Sequence, residues 1–347
     1  MPCLHCSFWL TEQGVDEPEW WHWLTMVVPD ELRETESLMH IGGGATEDLQ
    51  AWLPRFPMTR AVVRAMDVVQ EICESNEQQV DEFFVAGASK RGWTTWNVAA
   101  VDKRVMGIAP VVIDLLNIIP SFQHHWQCYG EWAPAIDPYV NLGIMNWIET
   151  DEFLAMLKLV EPYQLLERLT MPKLLINATC DEFFVTDSWQ FYWNDLEGEN
   201  YLQYVPNVGH GLHGSYLPEN LISFYHSTIT DTKIPDFKWH ISMDTIYAEV
   251  DPGGDYQIRK WEVVNEKDRD FKLYVVGEEA WKMEVLDISE NGSYVIPITV
   301  PESGYKGALV EVVFNPDSDF PLTLTTGTVI TPDSYPFDPF LPDLSAK

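Results

Sequence analysis

The chain has 347 residues, enough for one large domain or two of ordinary size, and its hydrophobic fraction of 46% excludes a disordered polypeptide. Its 54 acidic and 21 basic side chains give a formal net charge of −33, which would repel phosphate backbones and anionic lipid surfaces. Nucleic acid is therefore not an expected partner. The chain contains no apolar run of about 18 residues, so we expect no membrane insertion.

The first two thirds of the chain alternate between strand and helix patterns. Short apolar segments predict strands at 23–28, 37–41, 83–86, 105–113, 173–178 and 202–206. Apolar residues at helical spacing predict helices at 59–74, 94–101, 188–196 and 217–229, and a further helix from about Asp151. This alternation is typical of βαβ units, so the sequence predicts an α/β domain with a parallel sheet over residues 18–232.

The pattern changes near Phe237, where helical periodicity stops. Eight short strands separated by turn signals are predicted at 240–244, 246–250, 257–265, 271–276, 282–287, 294–300, 308–314 and 322–328. This spacing predicts a small all-β sandwich domain over residues 237–330. The Pro- and Asp-rich residues 331–347 are expected to form a loose tail.

Ser89 is the candidate nucleophile. It follows the strand predicted at 83–86 and precedes a helix, in the pattern Gly87-x-Ser89-x-x-Gly92. A serine exposed on a tight strand-to-helix turn is the nucleophile of Gly-x-Ser-x-Gly hydrolases. Here Arg91 stands where the second glycine is usual, so an ordinary serine in a tight turn remains the alternative.

Serine becomes a nucleophile when a base takes its proton and an acid orients that base. Asp181 follows the strand at 173–178, and His210 lies between glycines after the strand at 202–206. The order Ser, Asp, His, each on a post-strand loop, predicts a catalytic triad. Glu182 and His213 are the alternatives for the acid and the base.

The oxyanion of the reaction is expected to lie against the backbone N–H of Lys90 and a second donor in the glycine run at Gly43. A simple flexible turn is the alternative for that run. Lys90 and Arg91 could favour a substrate with a carboxylate or could form a structural ion pair. Cysteine and histidine spacing gives no convincing metal site, and neither a metal nor another cofactor is expected.

Four longer segments of the sequence form a distinctive set: WWHWLTMVVPD (20–30), RFPMTRAVVRAMDVVQE (55–71), FFVAGASKRGWTTWNVAAVDKRVMGIAPVVIDLLNI (83–118) and YLQYVPNVGHGL (201–212). Together they resemble the PhoPQ-activated pathogenicity-related family, which includes autocrine proliferation repressor proteins of social amoebae. The resemblance runs from about Trp20 to near Phe320. It implies an α/β-hydrolase domain followed by a small β domain, often in secreted proteins, with Ser89, Asp181 and His210 where a triad would stand.

One departure from that family lies between the strand ending at Gly42 and the helix starting near Thr59. Relatives carry a longer segment there, expected to supply another helix and another parallel strand, whereas only residues 43–57 remain here. We therefore expect one βα unit to be absent. Residues 1–13 also lack the basic start and apolar core of a secretory signal, although the resemblance suggests an extracellular protein.

These patterns favour a serine hydrolase acting on an ester or amide bond of a small-molecule or peptide substrate. The alternative is a secreted signalling protein of the proliferation-repressor type, with a cell-surface receptor as partner and a hydrolase scaffold that is not catalytic. A third interpretation, a carbohydrate-directed esterase, depends on the tryptophan-rich segment 121–147, a candidate cap, and on the β domain.

Overall fold

The computed structural model describes residues 3–8, 20–25, 36–41, 55–230 and 232–342. The first three ranges are described as backbone strands only. Strand β1 (Cys3–Phe8) pairs antiparallel with β2 (Trp20–Thr25), the latter overlapping the strand predicted at 23–28.

A five-stranded parallel sheet forms the centre of the first part of the chain. Its strands lie side by side in chain order, so every carboxyl end points to the same edge. They are β3 (Glu36–Ile41), β4 (Glu82–Ala88), β5 (Val105–Val111), β6 (Lys173–Ala178) and β7 (Asn200–Val205). Strands β4 to β6 are buried almost throughout, as expected of a sheet covered on both faces.

Helices cover this sheet. Helix α1 (Arg55–Ser75) buries a stripe at three- and four-residue spacing that includes Val62, Met66 and Val69. Helix α2 (Lys90–Val101) is buried from Gly92 to Ala100 because it packs on β4 and β5 and is itself covered by α1.

The connection between β5 and β6 is more helical than predicted. It contains α3 (Ile118–Tyr129), α4 (Asp137–Asn141) and α5 (Asp151–Val160), joined by 3-10 turns. Aromatic residues of this connection, such as Trp126 and Trp132, pack on one another. Helix α6 (Leu217–Ile229) then follows β7, as predicted.

The shortened segment after β3 still allows a parallel connection. Strand β3 pairs directly with β4, with Leu38 opposite Phe84, and α1 lies between the two strands in the chain. The predicted absence of a βα unit therefore leaves no gap inside the described sheet. Among the described strands, β3 has β4 as its single partner, so it is an edge strand of that sheet.

Two antiparallel sheets follow from Phe237. One consists of β8 (Phe237–Ser242), β9 (Thr245–Val250) and β12 (Ser293–Pro297); the other consists of β10 (Tyr256–Asn265), β11 (Lys282–Val285), β13 (Tyr305–Phe314), β14 (Leu322–Thr325) and β15 (Val329–Thr331). This arrangement, after a parallel sheet with helices, confirms the predicted fold class. The predicted strand at 271–276 is wrong, because Leu273–Val276 forms a short helix, α7. The domain boundaries at 232 and 237 stay predictions.

Strand β13 of the second sheet is buried on both faces along most of its length. Val310 and Val312 of β13 pack with residues of β9 such as Ile246 and Ala248, whereas Leu309 belongs to the core of the first part of the chain. Each of the two buried hydrophobic clusters contains residues from both parts of the chain, so the two parts are joined by shared cores.

A buried ion cluster fixes this junction. Asp187 lies on the loop after β6. Its Oδ2 accepts a hydrogen bond at 2.7 Å from Nη2 of Arg269, which belongs to the β part of the chain, the part that begins at Phe237. Its Oδ1 lies 2.8 Å from Nε2 of His124 on α3. All three side chains are almost fully buried. Burial by itself raises the pKa of Asp187, but the charges of Arg269 and His124 outweigh it and hold that pKa well below its ordinary range.

The last described residues pack against α3, which differs from the loose tail that the sequence predicts. The hydroxyl of Tyr335 lies 2.9 Å from Nδ1 of His124, and the ring of Phe340 lies 4.8 Å from that of Trp126 and 4.9 Å from that of Trp132. Phe340 N–H also donates to Gln123 Oε1 at 2.9 Å. Residues 332–342 therefore form a C-terminal strap over α3.

The Asp187 cluster gives a stability prediction. We expect Asp187→Asn to lower the free energy of unfolding by about 3–5 kcal/mol at pH 7, because it leaves Arg269 buried without its counter-charge. A carboxyl group with a lowered pKa stabilises the fold above its ordinary pKa near ~4 and loses that contribution as the pH falls below it. The free energies of unfolding of the intact protein and of Asp187→Asn should therefore differ less at low pH. Urea denaturation between pH 7 and pH 3 measures this difference.

Asp236→Asn is the matched control, since Asp236 pairs with Lys233 at 2.7 Å on the exposed surface. We expect it to leave the urea midpoint unchanged within error, because solvent screens such pairs. Equal effects of the two substitutions would contradict the role given to Asp187.

Candidate active site

Ser89 makes the turn between strand β4 and helix α2 alone. The strand ends at Ala88 and the helix begins at Lys90, so Ser89 adopts φ 56° and ψ −123°, a region that is costly for a residue with a side chain. Its N–H donates to the carbonyl of Val111 on β5 at 2.7 Å. The neighbouring strand thus supports the strained turn, which stands at the carboxyl edge of the sheet.

The glycines around Ser89 allow α2 to lie close to the sheet. A Cβ on Gly87 would stand 2.8 Å from the Arg91 carbonyl oxygen, and one on Gly92 would stand 2.8 Å from Ile113 Cγ2 and 3.0 Å from the Gly87 carbonyl oxygen. Helix α2 therefore lies close to the end of the sheet at Gly92, the residue after Arg91. This explains how Arg91 can occupy the position where Gly-x-Ser-x-Gly motifs have their second glycine.

Asp181 and His210 meet on the loops that follow β6 and β7. His210 Nδ1 lies 2.8 Å from Asp181 Oδ2 and 3.0 Å from Oδ1. A carboxylate accepts hydrogen bonds, so this geometry places the proton on Nδ1 and leaves Nε2 as the basic nitrogen of the ring. The imidazole is thus oriented as a general base requires.

Asp181 is itself held firmly. Its Oδ1 accepts hydrogen bonds from the N–H groups of Phe183 at 2.7 Å and Phe184 at 3.2 Å, and the side chain is almost fully buried. Burial raises the pKa of Asp181, while the hydrogen bonds from His210 and the two amides oppose that shift. The ring of Phe183 lies 4.2 Å from that of His210 and restrains the imidazole further.

Glu182 and His213, the alternatives for the acid and the base, do not form the acid–imidazole pair. Glu182 Oε2 accepts the backbone N–H of His210 at 2.7 Å, so this carboxylate anchors the histidine loop and leaves the ring to Asp181. A Cβ on Gly209 would lie 2.3 Å from Glu182 Oε1, which explains the glycine before His210. His213 is exposed, and among the described residues its ring has no carboxylate partner.

Ser89 and the Asp181–His210 pair share one edge of the sheet. Strands β4 and β6 are separated by β5 alone, a distance of about 10 Å between strand axes. Within the described part of the chain, the Ser89 hydroxyl forms no hydrogen bond with His210. Such bonds are often long in unliganded enzymes and shorten when substrate binds, so the link between these two residues stays a prediction.

Positive charge surrounds the start of α2. Lys90 and Arg91 follow Ser89 directly, and Arg55 Nη1 donates to the Lys90 carbonyl at 3.3 Å. The first N–H groups of a helix have no partner within it, so the Lys90 N–H can face a substrate oxygen. Gly43, the other predicted oxyanion residue, lies outside the described residues.

A second post-strand aspartate, Asp114, was not identified from the sequence. It follows β5, and its two oxygens accept hydrogen bonds from the hydroxyls of Tyr192, at 2.6 Å, and Tyr204. Burial raises the pKa of Asp114 to about 7, and the nearby charge of Asp181 adds to the shift. Both oxygens of Asp114 thus accept hydrogen bonds from tyrosines, whereas the imidazole of His210 bonds to Asp181.

The two adjacent histidines of helix α3 have structural partners. His124 belongs to the Asp187 cluster, and His125 Nε2 accepts the Ala133 N–H at 3.0 Å, with its pKa lowered to about 3 chiefly by burial. Within the described ranges no group of three metal-binding side chains comes together. The described helices include none with both the length and the apolar character needed to cross a membrane.

One known protein is similar to this chain along most of its length. Autocrine proliferation repressor protein A of Dictyostelium discoideum is 29% identical over 415 residues, covering 95% of this chain and 84% of that protein. That aligned stretch is longer than the 347 residues of this chain, so the relative contains residues without a counterpart here.

Among solved structures, an acetyl xylan esterase from Paenibacillus sp. R4 is 15% identical, with a TM-score of 0.42, covering 66% of this chain and 90% of that chain. The uncomplexed acylaminoacyl peptidase of Pyrococcus horikoshii is 14% identical, with a TM-score of 0.45, covering 67% of this chain and 42% of that chain. This chain therefore spans less than half of the peptidase.

The family model of PhoPQ-activated pathogenicity-related proteins matches residues 46–272. The match includes Ser89, Asp181 and His210 and extends over well more than half of the sequence. The chain belongs to the family of PhoPQ-activated pathogenicity-related proteins.

Proposed function

We propose that the protein is a serine hydrolase that cleaves ester or amide bonds through an acyl-enzyme. The observation that carries this proposal is the hydrogen bond between buried Asp181 and His210, at the same sheet edge as the strained turn of Ser89. A buried acid that orients a partly exposed imidazole is what an alcohol nucleophile needs.

In the first half of the reaction, the Ser89 oxygen forms a bond to the substrate carbonyl carbon. Its proton passes to His210 Nε2, and the carbonyl oxygen gains the negative charge, which the Lys90 N–H stabilises. When the intermediate collapses, the bond to the leaving group breaks and that group takes the proton from Nε2. Asp181 accepts the Nδ1 hydrogen bond throughout and stabilises the imidazolium while it exists.

In the second half, water replaces the alcohol as nucleophile. His210 Nε2 takes a proton from water, the hydroxide adds to the acyl carbon, and the bond to Ser89 breaks as the serine oxygen regains a proton from Nε2. The carboxylic acid product leaves, and the enzyme returns to its starting state. No cofactor takes part in these steps.

The aromatic segment does not favour the carbohydrate-directed interpretation. Trp126 and Trp132 lie 5.2 Å apart, ring to ring, and Phe340 of the C-terminal strap packs on both. These rings therefore contact one another instead of presenting an open face to a sugar.

Covalent labelling tests the nucleophile. We expect the intact protein to react with a fluorophosphonate probe and Ser89→Ala to lose labelling completely, because the probe forms its bond to the activated serine oxygen. Ser75→Ala is the matched control: Ser75 lies exposed at the end of α1 and donates to the Glu71 carbonyl, so its loss should leave labelling unchanged. An intact protein that never reacts would exclude the hydrolase proposal.

The two acids after β6 should have different effects on turnover. We expect Asp181→Asn to lower kcat/KM for a 4-nitrophenyl ester by about 10³-fold or more. The substitution removes the carboxylate that holds the proton on Nδ1 of His210 and that stabilises the charged imidazolium. Glu182→Gln keeps an oxygen for the His210 N–H and should cost less than about tenfold. Equal losses for the two variants would show that the ring contact of Asp181 has no special role.

A second candidate function is a secreted signal on a scaffold that does not catalyse. The 29% identity to an autocrine proliferation repressor favours it, and its partner would be a cell-surface receptor. In this case the surface of the protein, and not Ser89, carries the activity.

Growth of Dictyostelium discoideum cells in the presence of purified protein separates the two candidates. Equal repression by the intact protein and by Ser89→Ala would favour the signalling function. Repression that disappears in Ser89→Ala would tie signalling to hydrolysis, and no repression by either protein would exclude the second candidate.

A further inference from the structure

Two cations are held together beside the candidate nucleophile. Lys90 is the first residue of α2 and adjoins Ser89, while Arg55 is the first residue of α1. The guanidinium of Arg55 donates to the Lys90 carbonyl at 3.3 Å and lies 4.1 Å from the centre of the Trp93 ring. These contacts fix Arg55 against the first turn of α2.

This pair lacks a counter-charge within the described ranges. Other described cations such as Arg104, Arg259 and Arg269 each contact a carboxylate, in a chain with 54 acidic residues. Neither Lys90 nor Arg55 forms an ion pair with any residue whose side chain the structure describes. The prediction of a structural ion pair at Lys90 therefore finds no support there.

The surroundings make both charges costly. Burial lowers the pKa of Arg55 to about 10. Burial also lowers the pKa of Lys90, and the positive charges of Arg55 and Arg91 lower it further. An anion placed between such groups would relieve their desolvation and mutual repulsion, so the pair is suited to binding one.

We propose that Lys90 and Arg55 bind a carboxylate of the substrate, so that the preferred substrates are esters or amides carrying an anionic group close to the scissile bond. This inference depends on the proposed hydrolase function and narrows it to a substrate class. Lys90 follows the candidate nucleophile directly, so its charge would lie near a carbonyl group that reacts there. In a chain with a formal net charge of −33, cations at the site would favour an anionic substrate over the repulsion from the rest of the protein.

Matched substrates test the proposal on both sides of the scissile bond. One pair is 3-acetoxybenzoate and 3-acetoxybenzamide, with the charge on the leaving group. The other is mono-4-nitrophenyl hexanedioate and its terminal amide, with the charge on a shorter acyl chain. Spontaneous hydrolysis is subtracted. We expect the carboxylate to be preferred in at least one pair by about tenfold or more in kcat/KM at low salt, and the preference to fall as NaCl is added.

Substitutions then assign the preference to particular residues. Lys90→Met and, separately, Arg55→Gln should each lower the carboxylate-to-amide ratio at least about fivefold, because each removes one contact to the anion. The ratio within one variant cancels any general effect on the shared catalytic groups. Lys103→Met, which removes the same charge beyond the far end of α2, should keep the ratio of the intact protein.

The outcomes distinguish a failure of the hydrolase proposal from a failure of the carboxylate inference. Failure of the intact protein to hydrolyse any of the four compounds would count against the hydrolase proposal itself. Hydrolysis of the neutral amides with no preference for either carboxylate would overturn this inference alone. A preference that persists in both Lys90→Met and Arg55→Gln would also overturn it, since other residues would then bind the anion.

Discussion

The hydrogen bond between Asp181 and His210 is the contact on which the account of the site depends. It joins residues 29 positions apart in the chain, and it exists because β6 and β7 run parallel with Ala178 opposite Val205. The same register brings the loops after both strands to one edge of the sheet. Glu182 and Gly209 then fix the backbone of the histidine loop, so the imidazole has one orientation.

A second set of buried polar contacts holds the loops on which this bond depends. Asp187 follows Asp181 on the same loop and is tied to α3 through His124 and to the β part through Arg269. Tyr335 of the C-terminal strap completes the cluster. Residues of the β part therefore help to fix the loop that carries Asp181.

Much of the fold can be predicted from local patterns. Apolar strands such as 83–86 and 173–178, and the helical stripe of α1, are properties of short windows, and the structure has them close to the predicted bounds. The order of Ser89, Asp181 and His210 on post-strand loops was likewise visible. The sequence does not predict which of the two acids contacts the His210 ring and which contacts its backbone N–H, because adjacent carboxylates look alike in a sequence.

Features that depend on distant partners could not be predicted. Asp114 meets tyrosines 78 and 90 residues away, and Arg269 meets Asp187 82 residues away, without any local signal. The C-terminal strap is proline-rich, without strand or helix periodicity, and its packing depends on a few aromatic side chains such as Phe340. The segment 271–276 has an alternating pattern that suits a strand, yet the Leu273 N–H bonds to the Cys180 carbonyl and the segment turns into a helix.

The most direct measurement is a crystal structure of the protein after reaction with a fluorophosphonate. The account predicts phosphorus bonded to Ser89 Oγ, His210 Nε2 within about 3 Å of that oxygen, and the Lys90 N–H directed at a phosphonyl oxygen. An adduct on another residue, or a His210 ring that remains far from a modified Ser89, would contradict it.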